Sequence, residues 1–448
     1  MKYLVAISFA IIVSLVIYVV RDKDSKTIKD LSVEITPFVD PALLPDQREL
    51  PDREKSHLLF KEIKENLPNT DLLADLIPNG DLAKYSSEEK QIFLNFASKH
   101  RSIQSKFLEF STLECSVPDP GATPFVRSGI YNVSSILLTA DAIKVNEGEF
   151  SSGEAAKLLT KHLKLGKALL SCKGNFVNSV ISFAHLLNTI NYIKYFVKKD
   201  FISENDSKSI LDLTNTIPSD LSFIKEQIKL NYYYSYLWAL DLLSESITAS
   251  RGKPSYEYMT YVIGLGESVD AVNKYYTQIM LLVEAKQSVF ENKYQLLWFT
   301  EYLTVESKDP VLNGLISQIY KTLNSGVGSL DVFNTMLSVA KNYPQLKNMV
   351  GKQVLKNAYG NDEKIIEALI LDVLKFKAQA AAIAYLAWKK AGKASKSIKT
   401  ANDLVKEKIL PSMPQSDFSR HRFVLQLEKN KIGWEDPQNS KRNVFVDL

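Results

Sequence analysis

The feature that most constrains this chain is its start. Residues Tyr3 to Val20 form an unbroken run of eighteen uncharged, mostly aliphatic residues. Wound as a helix at ~1.5 Å per residue they span about 27 Å, close to the ~30 Å of a bilayer's hydrocarbon core. A cleaved export signal has an apolar stretch of about 7–15 residues followed by a small-x-small site. Here the run is longer and leaves through Ile17-Tyr18-Val19-Val20 into Arg21-Asp22, bulky and then charged, with no cysteine for lipid attachment after it. Residues 1–20 therefore read as a retained transmembrane signal-anchor helix, with the lipid bilayer as the partner of residues 3–20.

The flanking charges bear on orientation. Only Lys2 precedes the run, whereas Arg21, Lys23, Lys26 and Lys29 follow it. Taken alone, the excess of basic residues after the span retains the body in the cytoplasm. A very short basic head before an apolar span is equally how exported, signal-anchored proteins begin.

Residues 21–52 are polar and carry Pro37, Pro41, Pro45 and Pro51, a linker that holds the rest off the membrane. Beyond it, 45% hydrophobic and 24% charged residues are the proportions of a chain able to bury a core. Net charge is +4, only nine of the 55 basic residues are Arg, and no basic stretch is interleaved with Gly or aromatics. That argues against a nucleic-acid partner. The two cysteines, Cys115 and Cys172, allow one disulfide in an oxidising compartment and are too few for a zinc framework.

Residues 53–410 read as an all-helical body. Ser86-Ser87-Glu88-Glu89 is a capping box that opens a helix to about Ser111. Further helices are expected over Gly129–Asn146, Ser152–Cys172, Phe176–Lys199 and Ser255 to about Glu291, the last running through Gly264 and Gly266. The longest, from Asp362, ends at Gly392. Pro218, Pro254 and Pro310 stand at further helix starts. Residues 137–170 resemble one tetratricopeptide-style pair, with Gly148 at the turn and Ala155 and Ala156 as small packing residues. The expected fold is all-α: antiparallel helical hairpins stacked into an irregular bundle or TPR-like array. Strand alternation is expected only in the tail, residues 411–448, as a small β-hairpin over Arg422–Trp434 turning at Lys429-Asn430.

Two stretches carry a resemblance. "LLTADAIKVNEGEFSSGEAAKLLTKHLKLGKALLSC" is similar to the body of a group of bacterial proteins with one N-terminal membrane anchor. "AAAIAYLAWKKAGKASKSIKTANDLVKEKILPSMPQSDF" resembles the ending of type II secretion pseudopilins: an alanine-rich helix, an aromatic at Trp388, a turn glycine at Gly392, then Leu410-Pro411 and Pro414 leading into a hairpin. Lys393-Ala394-Ser395 replaces that family's Gly-x-Tyr-Pro, and the acidic glycine-rich finish linked to calcium is missing from Asn439–Leu448, so calcium does not carry over. What the resemblance implies is topology: a body outside the cytoplasmic membrane, on the periplasmic side.

The candidates for catalysis or metal binding are His57, His100, His162, His185 and His421. Glu54-x-x-His57 is one half of a di-iron pattern whose other half is absent. His162 follows Ala155, Leu158 and Leu159 on an apolar helix face, which predicts a hydrogen-bonded core histidine. His185 can approach it if the two helices form a hairpin, but neither helix offers the pair an acidic partner. Gly264-Leu-Gly266-Glu-Ser268 lacks the strand–turn–helix context of a phosphate loop or nucleophile elbow. No cofactor is expected, and the chain reads as a non-enzyme.

Aromatics are the remaining candidate. Tyr232, Tyr233, Tyr236 and Trp238 crowd one helix on several sides, and Tyr258, Tyr261 and Trp298 follow. They predict a partner surface or an apolar-ligand pocket, set against a Tyr-rich core with hydroxyls at its edge. The reading is a membrane-tethered, non-enzymatic helical scaffold with a protein partner, the alternative being a lipid- or apolar-ligand-binding protein.

Overall fold

The structure, a computed structural model, describes residues 53–68, 82–110, 123–171, 176–233, 264–285, 292–303, 362–393, 398–414, 421–437 and 440–448, with isolated positions between. It is mostly helical, with eleven α-helices among the described residues and one three-stranded antiparallel sheet. The chain divides into two compact units, each assembled from separated stretches. The larger comprises Pro45–Asn231, Met280–Glu291 and Asp362–Leu448; the smaller comprises Met1–Leu44, Tyr232–Ile279 and Asn292–Asn361. No described helix is long and apolar enough to cross a membrane, and Tyr3–Val20 lies outside the described residues.

In the larger unit, α1 (Arg53–Glu65) packs on α2 (Ser87–Phe110), with Phe60 against Phe110. The capping box at the start of α2 forms as the sequence implies. Ser86 N–H donates to Glu89 Oε2 at 2.7 Å, and Glu89 N–H donates to Ser86 Oγ at 3.2 Å. α2 is kinked at His100, whose backbone leaves the helical region at φ −116° and ψ 15°.

α3 (Thr123–Asn146) ends where Gly148, at φ +80°, reverses the chain. Glu149 N–H reaches the Lys144 carbonyl and Gly148 N–H the Val145 carbonyl, the paired bonds of a Schellman end. α4 (Ser152–Ser171) and α5 (Phe176–Lys198) then form a close hairpin. The close approach depends on Gly166, where an added Cβ would lie 2.6 Å from Leu186 Cδ2. α5 finishes as α3 does, with Asp200 in the left-handed position at φ +63°.

α6 (Glu204–Thr214) and α7 (Leu221–Asn231) follow, and α10 (Asp362–Trp388) returns to lie along α5. Both long helices are buried over most of their girth, so neither shows a clean amphipathic stripe. Phe183 of α5 meets Phe376 of α10 edge to face at 6.2 Å, and Gln379 Nε2 donates to Asn191 Oδ1 at 2.6 Å. α10 does not stop at Gly392. It widens into a π turn over Lys389–Lys393, from which Lys390 Nζ donates to the Lys198 carbonyl at 2.8 Å and pairs with Asp200. A lysine thus satisfies the exposed carbonyl end of α5.

After α11 (Ala401–Lys406) comes the sheet: β1 (Arg422–Gln426), β2 (Lys431–Glu435) and β3 (Val444–Asp447), in that order. The expected hairpin is present, turning through Leu427–Lys429 and a left-handed Asn430, with Gln426 opposite Lys431. The third strand is an addition to it. Gly433, at φ +156°, faces β3 so closely that a Cβ would fall 2.0 Å from the Val444 carbonyl oxygen. Trp434 is buried against α10 and donates its indole N–H to the Leu374 carbonyl at 3.0 Å. Lys194 and Lys198 of α5 donate to the carbonyls of Asp447 and Leu448, each at 2.9 Å, so the sheet is held to both long helices.

The smaller unit contributes the first four turns of α8 (Leu265–Glu284), together with α9 (Leu297–Leu303). The helix expected from Ser255 through Gly264 begins instead at Leu265. Gly264 is left-handed at φ +52° and packs against Asn348, whose Cβ would lie 2.5 Å from a glycine Cβ. Among the described residues nothing lies within 4 Å of a Cβ at Gly266. Ser268 Oγ donates to Asn348 Oδ1 at 3.0 Å, and Asn348 donates in turn to the Tyr302 hydroxyl.

Candidate functional site

The polar centre of the larger unit forms where α2, α3 and α4 meet. His162 of α4 lies on the buried face the spacing assigned to it, and its Nε2 donates to Asp141 Oδ2 of α3 at 3.1 Å. Two groups of α2 reach the same carboxylate: Arg101 Nη2 bonds Asp141 Oδ1 at 2.9 Å and Gln104 Nε2 bonds Oδ2 at 3.1 Å. Asp141 has no exposed side-chain surface, whereas Arg101 keeps 42% of its own, so the guanidinium joins a buried anion to solvent. The histidine proton is directed at Asp141, so the 3.4 Å approach of Gln104 Nε2 to His162 Nε2 sets two donors side by side and is no hydrogen bond.

Burial alone would push the Asp141 carboxyl up. The hydrogen bond and charge of His162, then Arg101 and Gln104, outweigh it and hold the group below its ordinary value. His185, on α5, comes within 5.8 Å of His162 between ring centres, as the hairpin reading foresaw. It is fully buried, and among the described residues neither ring nitrogen has a formed hydrogen bond. Burial first, and then the charge of His162, lowers its pKa to about 3, so the ring is neutral.

The acidic partner that the α4–α5 hairpin lacks therefore comes from a third helix. Asp141 is the only acidic residue between Gly129 and Asn146, and an acid in an otherwise apolar helix is the signal that marks it. The cluster is closed to substrates: Asp141 and His162 are 0% and 3% exposed. Among the described residues no three His, Cys, Asp or Glu side chains converge on a point that could hold a metal ion.

An open groove of about 1150 Å³ lies in the same unit. Its floor is α10 from Phe376 to Trp388, where Ala380, Ala381, Ala384 and Ala387 leave a shallow face. One wall is α6, with Lys208, Leu211 and Asp212; the other is the stretch from Glu407 to Pro414. Lys208, Asp212 and Lys408 are exposed in it. The alanine-rich run marks its floor in the sequence; the walls come from distant segments and leave no local signal.

The tyrosines divide between core and edge. Tyr232 and Tyr233 are buried, and Tyr232 donates its hydroxyl to Asn273 Oδ1 at 2.6 Å while meeting Tyr276 edge to face at 5.3 Å. Tyr275 stacks on Phe299 at 4.4 Å. Trp298 is half-buried, donates to Gln278 Oε1 at 2.6 Å and carries the Lys274 ammonium 4.4 Å above its ring. Tyr236, Trp238, Tyr258, Tyr261, Cys115, Cys172 and the side chain of His57 lie outside the described residues. The chain matches no protein-family model, no curated protein and no solved structure.

Proposed function

We propose that this chain is a membrane-tethered, non-enzymatic interaction module, its helical hairpins stacked into a rigid body that receives a segment of a partner protein in the groove between α6, α10 and residues 407–414. The groove carries the reading. It is open, it is floored by a helix locked between α5 and the sheet, and its 13-residue floor from Phe376 to Trp388 runs about 18 Å, room for roughly three helical turns of a partner. Charged heads along the rim and alanines beneath give the polar edge and apolar centre of a recognition surface. The burial of Asp141 and His162, 0% and 3% exposed, supports a structural role for the polar centre. Tethering rests on the Tyr3–Val20 run, and the periplasmic side on the resemblance of the tail to pseudopilins.

The test is site-specific photocrosslinking of the full chain in its native membrane, with the photoreactive residue at Ala384 or Ser412 and, as control, at Ser209 on the solvent side of α6. A discrete adduct from the groove positions alone, lost when Ala380→Trp fills the groove in a folded protein, is the expected result. Adducts at all positions, or at none, would remove the groove from the reading. Stoichiometric lipid recovered with the purified chain would favour the apolar-ligand alternative.

A further inference from the structure

Beside the Asp141–His162 pair lies a second, much smaller pocket of about 10 Å³. Phe107, Leu137 and Leu165 form its apolar walls; Gln104, Ser134 and His162 form its polar ones, and the exposed Lys161 completes the lining. That volume is about one water-sized sphere, the lower limit for holding a single molecule. The pocket lies at the junction of α2, α3 and α4, independent of the groove.

Ser134 is the group that calls for an occupant. It is 1% exposed, and its Oγ has no hydrogen-bond partner among the described residues. Two buried threonines of the unit bond back one turn: Thr139 Oγ1 of α3 donates to the Ser135 carbonyl and Thr189 Oγ1 of α5 to the His185 carbonyl, both at 2.9 Å. Ser134 does not, and its side chain lines the pocket. Gln104 offers the matching donor. One N–H of its amide is given to Asp141, and the same side chain, with a second N–H to offer, lines the pocket.

We propose that this pocket is a binding site for one structural water molecule, which accepts a hydrogen bond from the second Gln104 N–H and exchanges one with Ser134 Oγ. The bound water ties α3 to α2 through a second route besides Asp141, and it fixes the Gln104 amide in the orientation that serves the carboxylate. A cation is disfavoured because no carboxylate lines the pocket and the Lys161 ammonium does, and about 10 Å³ is too small for a polyatomic anion.

The experiment is a density map of the full chain at a resolution that shows ordered water, for the wild type and for Ser134→Val. A peak within about 3 Å of both Ser134 Oγ and Gln104 Nε2 is expected. It should vanish in Ser134→Val, where a methyl takes the hydroxyl's place. Solution relaxation dispersion of water nuclei should lose one long-lived internal water on the same substitution, and on Ser134→Ala if the valine does not fold. A dry pocket with Ser134 Oγ turned onto the Ile130 carbonyl would overturn the proposal, as would a peak that survives in Ser134→Val.

Discussion

His162 Nε2 and Asp141 Oδ2 lie 3.1 Å apart across 21 positions of sequence, and this one bond ties α4 to α3 while Arg101 and Gln104 bring α2 to the same carboxylate. A buried anion with three donors is costly to leave half-satisfied. Removing one partner of such a group exposes the uncompensated charge of the others.

Asp141→Ala is accordingly expected to destabilise the chain by about 3 kcal/mol or more, read as a lower urea midpoint. Arg101→Met, at a residue still 42% exposed, should cost only about 1 kcal/mol. The Asp141 pKa is depressed in the fold, so its stabilisation is present above the unfolded carboxylate value and is lost as pH falls through the lower folded value. Equal losses from the two variants would mean that the carboxylate is not the centre of the network.

His185 gives a different pH signature. Its folded pKa of about 3 lies below the ordinary 6.5, so the unfolded chain binds the proton first. Stability is full above pH 6.5 and declines as pH falls toward 3, by about 5 kcal/mol at most over the window. His185→Leu should flatten that decline and, with no made hydrogen bond to lose, cost little at pH 7. Thermal unfolding between pH 7 and 4 measures both effects.

Asp372 on α10 works in the opposite sense. Burial raises its carboxyl to about 6, opposed only by Lys375, so the folded form binds a proton more tightly than the unfolded one. This group stabilises as pH drops from 6 toward 4 and destabilises at neutrality. Asp372→Asn should raise stability at pH 7 by about 2 kcal/mol and remove that component from the pH profile.

Gly166→Ala places a methyl inside contact distance of the Leu186 side chain and is expected to cost about 1–3 kcal/mol. The clash is with flexible atoms, so Leu186→Ala in the same chain should recover part of it. A double-mutant cycle with no coupling would show that the α4–α5 spacing is set elsewhere.

Gly433→Ala is harsher, because the clash at 2.0 Å is with the Val444 carbonyl oxygen and the residue is in a backbone region reserved for glycine. β3 should separate from β2. The emission of Trp434, now buried against α10, should shift to the red in Gly433→Ala while far-UV helicity is largely kept.

The local grammar of the chain was readable before the fold. Ser86 and Glu89 cap α2, Gly148 closes α3, and His162 lies on the inward face its spacing assigned. These depend on neighbours within one or two turns. The partner of His162 was not readable, because pairing Asp141 with it depends on how two helices are rotated about their axes. β3 went unseen because Val444-Phe445-Val446 is too short to show a period, and only Gly433 and the face of α10 give it a place. Gly264 reads as a packing residue inside a helix, but it is left-handed at φ +52° just before the helix and lies against Asn348, 84 positions away.

The larger unit closes on itself across a long detour. Phe183 waits for Phe376, and Lys198 for Leu448, while every residue of the smaller unit from Tyr232 onward is made in between. During translation the apolar face of α5 therefore emerges well before the helix that covers it. At 5–20 residues per second, the nearly 200 residues separating those two phenylalanines leave that face unpaired for roughly 10–40 s, long enough for misassociation to compete with folding. Residues 232–279 and 292–361 thus delay the closing of the unit they interrupt, and shortening that stretch is expected to quicken the capture of α5.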